Sequence, residues 1–235
     1  MNGEVDSILA TRVEAGHVER LAAFARLLGD ANATHNLTAA RTPAELAEHI
    51  ADALSLLPFV REPLVDVGSG GGFPALPLAI VSGMRMTLIE SVAKKARFLA
   101  AAVAELGLPV EVVVARAEVA AHDPALRESF ASTTARAVGS LPTVLELTVP
   151  FLQPGGVALL QRGALGEEER RAGADAALML GAELSQEVLL DGLRRIVIVR
   201  KLSATPARLP RRTGIPQKRP LCTRPVPGQA LSADV

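Results

Sequence analysis

The chain has 235 residues, 49% of them hydrophobic and 21% charged; that supplies a sizeable core and excludes a wholly disordered chain. No apolar run approaches the roughly 18 residues of a membrane span, the acidic start lacks the apolar stretch of a secretory leader, and the single cysteine, Cys222, cannot close an internal disulfide, so a cytoplasmic setting without membrane attachment is expected. The formal charge is zero, but residues 194–235 carry ten basic residues against Asp234 alone, a net +9, while the rest of the chain sums to −9, and a basic end on an acidic body points to a polyanionic partner.

In chain order, Val18, Leu21, Ala25 and Leu28 recur at helical spacing and predict an amphipathic helix over 18–28, followed by a polar turn at Asp30–Asn36. Thr42-Pro43-Ala44-Glu45 is a helix start, with a capping residue, a proline in the first turn and a glutamate three positions on. Leu46, Ile50, Leu54 and Leu57 form that helix's buried stripe, and His49 and Asp52 share a neighbouring face. From Leu64 the pattern alternates. Strands are predicted over 64–67, 86–89, 110–114, 133–138 and 156–160, with helices over 75–81, 93–106, 141–152 and 167–180 between and after them. Asp191-Gly192 then joins two β-branched runs as a hairpin. Alternating βα units predict an α/β fold with a mostly parallel sheet covered on both faces, whose ligands bind beyond the carboxyl ends of the strands. The expected organisation is a helical extension over 1–60, a ligand-binding domain over 61–202 and a flexible Pro/Arg-rich tail over 203–235.

The first strand leads into Asp66-Val-Gly68-Ser-Gly70-Gly-Gly-Phe73-Pro74. Such glycines let a backbone turn sharply and come close to a ligand. A dinucleotide fingerprint is incomplete here: Phe73 stands where one frame needs its third glycine, and the other frame contains a proline. Asp-x-Gly-x-Gly suits a cationic amino-acid ligand instead, such as S-adenosylmethionine. Glu90 ends the second strand about 20 residues on, where an acid accepts ribose hydroxyls; this indicates an adenosine without choosing between the two cofactors. Ala117 and Glu118, after the third strand, are candidates for the adenine edge.

These residues resemble the bacterial small-subunit rRNA guanine-N7 methyltransferases, also called the glucose-inhibited division protein B family. The resemblance runs from about Leu21 to Pro220 and rests on Asn36-Leu-Thr-Ala39, His49-Ile-Ala-Asp52, the glycine loop, Arg116-Ala-Glu118, Thr134-Ala-Arg-Ala137 and Pro210-Arg-Arg-Thr-Gly-Ile-Pro216. It implies a Rossmann-like class I methyltransferase with a seven-stranded sheet ending in an antiparallel hairpin. It implies S-adenosylmethionine contacts at Asp66, Gly68, Gly70, Phe73, Glu90, Ala117, Glu118 and Arg136. It further implies a guanine in the decoding-region (530) loop of 16S rRNA as target, and functional weight on Asn36, His49, Asp52, Arg116 and Arg136. Two positions depart from the family: Ala53 replaces a serine, and Gln161-Arg162-Gly163 replaces the usual Leu-Lys-Gly or Leu-Lys-Ala. Arg162 keeps the charge but not the compact ammonium.

The N7 atom of guanine offers a lone pair and holds no proton, so the reaction needs positioning and no general base. Arg116 and Arg162 follow predicted strands and, with the tail residues Arg211, Arg212, Lys218 and Arg219, are the candidate RNA contacts. With no Trp or Tyr and six Phe, recognition by shape and phosphate contacts is expected in place of aromatic stacking. The four histidines have no metal-ligand spacing, so no metal is expected. The expected partner is 16S rRNA or a 30S assembly intermediate, met by a monomer. An NAD-linked oxidoreductase and a non-catalytic RNA-binding module are the competing functions.

Overall fold

The computed structural model describes residues 7–11, 13–136 and 138–221. Its elements run α1 (Ala15–His35), α2 (Pro43–Leu54), β1 (Leu64–Val67), α3 (Ala75–Ser82), β2 (Met86–Glu90), α4 (Ala93–Glu105), β3 (Val110–Val114) and α5 (Ala117–Ala120). They continue with β4 (Phe130–Arg136), α6 (Leu141–Thr148), a 3-10 turn at Val149–Phe151, β5 (Leu152–Arg162), α7 (Glu167–Met179), β6 (Ala182–Asp191), β7 (Arg194–Lys201) and α8 (Ile215–Lys218).

The strands form one seven-stranded sheet in the order β3-β2-β1-β4-β5-β7-β6. Pairs among β1 to β5 are parallel, and β7 inserts antiparallel between β5 and β6. The inner strand β1 is buried along its whole length, because helices cover both faces and neither side meets water. Asp191 pairs with Arg194, so the hairpin loop is Gly192-Leu193, one residue later than Asp191-Gly192. Gly192 takes the positive φ of 46° that the first loop position requires.

Residues 30–35 are helical, not the expected turn: α1 continues to His35 and stops at Asn36, which sits in the left-handed region at φ 49°. The polar side chains there serve the next segment. Asn32 Oδ1 accepts from the main-chain N–H groups of Leu37 (2.7 Å) and Thr38 (2.9 Å), fixing the link to α2. The capping box at Thr42 and Glu45 starts α2 as expected. Leu21, Phe24, Leu28 and Ile50 of these two helices share one core with Leu76, Leu78 and Leu99 of α3 and α4. The extension is thus packed into the sheet's helical layer.

The expected flexible tail needs correction for residues 203–221, which dock on the domain. Arg211 binds Glu146 of α6 through both carboxylate oxygens at 2.6–3.2 Å. Arg127 donates to the carbonyls of Thr205 and Leu209 at 2.8 and 2.9 Å, and His122 Nε2 lies 2.9 Å from the Pro210 carbonyl. Lys201 is buried and pairs with Glu128 at 3.1 Å. Because Glu146 is 0% exposed, an unpaired carboxylate there would carry a cost of several kcal/mol, so the segment is held as a strap. Cys222 and the remainder of the expected tail lie outside the described residues.

Candidate active site

The glycine loop connects β1 to α3 at the carboxyl edge of the sheet. Gly68, Gly70 and Gly72 adopt φ of 77°, 54° and 92°, a region that a side chain disfavours. A Cβ at Gly71 would lie 2.9 Å from the Leu37 carbonyl oxygen, so this glycine lets the α1–α2 link close over the loop. Around the site the structure opens a cleft of about 690 Å3 and a smaller cavity of about 80 Å3. Gly68 lines both.

The larger cleft collects residues from α2, the glycine loop, the ends of β4 and β5 and the start of β7. His49 and Asp52 of α2 face it together, as their spacing implies, along with Phe73, Arg136 at the end of β4 and Arg162 at the end of β5. The Arg136 guanidinium stacks over the Phe73 ring at 4.6 Å and lies 3.5 Å from Asp52 Oδ2. Asp52 Oδ1 is 3.5 Å from Arg194, so one carboxylate bridges two cations. Burial depresses the Arg136 pKa, opposed by the charges of Asp52 and Asp66. Burial, reinforced by the Arg136 cation, holds the His49 pKa below its usual value, against the pull of Asp52 and Glu45. The His49 ring meets Phe73 edge-on at 5.7 Å.

Three lining cations, Lys95, Arg194 and Arg195, are absent from the sequence-derived set. Arg194 and Arg195 open β7, and because β7 is antiparallel its start lies at the same edge as the ends of β4 and β5: Arg195 pairs with Arg162. A search confined to strand ends passes over them; the Asp191-Gly192 hairpin was the signal available. Gln161 also lines the cleft, donating 2.6 Å to the main-chain carbonyl of Asp52.

Other expected residues fall elsewhere. Asn36 is exposed and caps α1, outside the cleft lining. Asp66 is 1% exposed beneath the loop. Its Oδ1 accepts from Thr134 Oγ1 at 2.7 Å while Oδ2 has no partner, and burial raises its pKa to about 6. Glu90 accepts from the main-chain N–H groups of Gly70 (2.9 Å) and Val92 (2.7 Å). It therefore braces the loop and starts α4 at once. Ala117, Glu118 and Arg116 line the small cavity with Ile89 and Ser91, which places Arg116 apart from Arg136 and Arg162. The Glu118 carboxylate accepts the Gly214 N–H of the strap at 2.8 Å. Arg211 is corrected as an RNA contact, since its guanidinium is spent on Glu146, whereas Arg212, Lys218 and Arg219 are exposed.

Among the described residues no group of three or more His, Cys, Asp or Glu side chains is placed to hold a metal, and no helix is long and apolar enough to cross a membrane.

The donor set fits S-adenosylmethionine. Gly68 lines both cavities, the Glu90 carboxylate holds the Gly70 N–H, and a Cβ on Gly70 would meet only the Gly68 carbonyl, at 3.7 Å. In fold the chain is similar to an O-methyltransferase from Bacillus cereus solved with S-adenosylhomocysteine (TM-score 0.56, 18% identity, covering 76% of this chain and 91% of that one). The family model described as rRNA small subunit methyltransferase G matches residues 17–197. Relatives named ribosomal RNA small subunit methyltransferase G include one from Rubrobacter xylanophilus, 44% identical over 79% of this chain and 77% of its own. Another, from Deinococcus deserti, is 38% identical over 87% and 88%. The chain belongs to the rRNA small subunit methyltransferase G family.

Proposed function

We propose that this protein transfers a methyl group from S-adenosylmethionine to N7 of a guanine in the decoding-region loop of 16S rRNA. The observation that carries this is the position of Gly68 in the walls of both cavities. A ligand passing along that glycine has one end in a small cavity with mostly uncharged walls and the other in a cleft lined by Lys95, Arg136, Arg162, Arg194 and Arg195 with Asp52 as the one acid. An adenosine suits the first, and a polyanion brought against the second suits RNA.

The cofactor supplies a methyl group made electrophilic by its sulfonium. The chain's own residues do the rest by holding and orienting. Glu90 has carboxylate acceptor sites beyond the two that Gly70 and Val92 use, and these take the ribose hydroxyls. Asp52 keeps Arg136 and Arg194 at the cleft wall, where Arg136 is placed to donate to O6 of a guanine, the atom next to N7 on the edge that arginine reads. At His49, burial and the Arg136 cation disfavour the charged ring, which limits repulsion of the guanine as that base becomes positively charged. No residue has to remove a proton, because N7 has none. In-line positioning of this kind is worth up to roughly 7–11 kcal/mol. Arg162 at the cleft, and Arg116, Arg212, Lys218 and Arg219 outside it, hold the RNA backbone.

Two measurements test the assignment. S-adenosylhomocysteine should raise the melting temperature and NADH should not; the reverse outcome would favour an oxidoreductase. Chemical mapping of 7-methylguanine in 16S rRNA from cells with and without the gene should show one position lost. An unchanged map would reject the rRNA target. Supplying naked 16S rRNA and assembled 30S subunits to the same enzyme separates the two substrate forms.

A further inference from the structure

The docked strap has a consequence for the small cavity. Ten of the residues lining this cavity come from the β1, β2 and β3 ends and from positions close to them in space: Val67, Gly68, Ile89, Ser91, Ala115, Arg116, Ala117, Glu118, Val138 and Leu147. The eleventh is Gln217, from α8, separated from the rest by most of the strap. Its amide has no hydrogen-bond partner among the described residues.

The backbone on both sides of Gln217 is fixed. The Gly214 N–H donates to Glu118 Oε1 at 2.8 Å, and the Pro216 carbonyl accepts from buried Thr143 Oγ1 at 3.0 Å. Arg211, which anchors the strap on Glu146, also donates to the Arg219 carbonyl at 2.6 Å. Three attachments thus hold a residue with a free amide at the wall of a cavity. One of them, Glu118, belongs to that same wall. Ordering so much chain costs entropy, and Gln217 is where the ordered strap meets the cavity.

We infer that Gln217 is a cofactor-binding residue that reads the adenine edge of the methyl donor from the outer wall of the small cavity. This rests on the methyltransferase assignment above. A carboxamide offers an acceptor to the exocyclic amino group of adenine and a donor to the neighbouring ring nitrogen, the pairing by which Asn and Gln recognise this base. The surrounding walls supply apolar contacts from Val67, Ile89, Val138 and Leu147, which grip a purine without distinguishing one from another.

The test is calorimetric titration of the full chain and its Gln217→Ala variant with S-adenosylhomocysteine and with S-inosylhomocysteine, in which oxygen replaces the exocyclic amino group. The parent should prefer the adenine compound. The variant should bind it about 25-fold more weakly, the worth of two neutral hydrogen bonds, and its preference over the inosine compound should shrink by about fivefold, the worth of the bond to the amino group. Equal weakening of both compounds, the mark of a loosened strap, would overturn the inference, as would unchanged affinity for both. A parent chain that binds neither compound would overturn the methyl-donor site itself, and this inference with it.

Discussion

The cations lining the cleft and those of the strap are the same residue type put to opposite uses. In the cleft, Arg136 and Arg194 share the carboxylate of Asp52 at 3.5 Å each, Arg194, Arg195 and Arg162 also pair with Asp191, Glu187 and Glu169, and Lys95 has no ion-pair partner among the described residues. Positive charge therefore remains to meet a ligand. In the strap, Arg211 gives its guanidinium to a fully buried Glu146, so that its charge is neutralised internally. The basic end of the chain divides accordingly. Arg194 and Arg195 face the cleft while pairing with Asp191 and Glu187, Arg200 pairs with Glu183, Lys201 with Glu128 and Arg211 with Glu146, and Arg208, Arg212, Lys218 and Arg219 are exposed. A net charge of +9 counts all of these alike, yet only the unpaired ones act at a distance.

The largest test of this contrast is Arg211→Ala. It strands a buried carboxylate and should cost about 3–5 kcal/mol of stability, read by urea denaturation, while the salt dependence of RNA binding by the folded protein stays unchanged. A flatter salt dependence with no loss of stability would return Arg211 to the RNA surface.

Asp66 sharpens the same contrast, as a buried carboxylate with one oxygen unpartnered. Its folded pKa, raised to about 6 from 3.8, means that its protonated form favours folding. That stability is complete below about pH 4 and is lost as the pH rises toward 6, because the unfolded chain ionises first. Asp66→Asn escapes the loss. The variant should be more stable than the parent by up to about 3 kcal/mol at pH 7, with the gap closing by pH 4 in denaturation curves. A gap that does not vary with pH would mean Asp66 does not titrate in this range.

Arg194→Ala removes a cleft cation. It should weaken RNA binding several-fold and reduce the slope of log affinity against log salt by about one, while stability shifts by less than about 0.5 kcal/mol. An unchanged slope would place the RNA away from the start of β7. The smallest effect belongs to Arg212→Ala on the exposed strap, where a decrease of up to about one in slope and no change in cofactor affinity are expected.

Much of the architecture was legible in local pattern. The capping box at Thr42, the run Val110–Val114 and the glycine loop each carry their signal within a few neighbouring residues. His49 and Asp52 were legible too, since helical spacing alone places them on one face. Helix ends were less so. Asp30, Asn32 and Asn36 read as a turn, but packing of Leu28 into the core carries α1 through them, because tertiary contacts outweigh propensities of a few tenths of a kcal/mol.

By itself, the order of residues determined the α/β alternation, the glycine turn at the end of β1 and the acid at the end of β2, since each depends on neighbours in the chain. The partner of each charge was decided only on folding. That Arg194 joins Arg136 across Asp52, that Arg211 finds Glu146, and that Gln217 reaches the wall of the small cavity all depend on residues far apart in sequence. An arginine reads the same in the sequence whether its counter-charge is a carboxylate in the core or a phosphate outside, and the two are told apart only when the strap and the antiparallel β7 bring distant chain to one edge of the sheet.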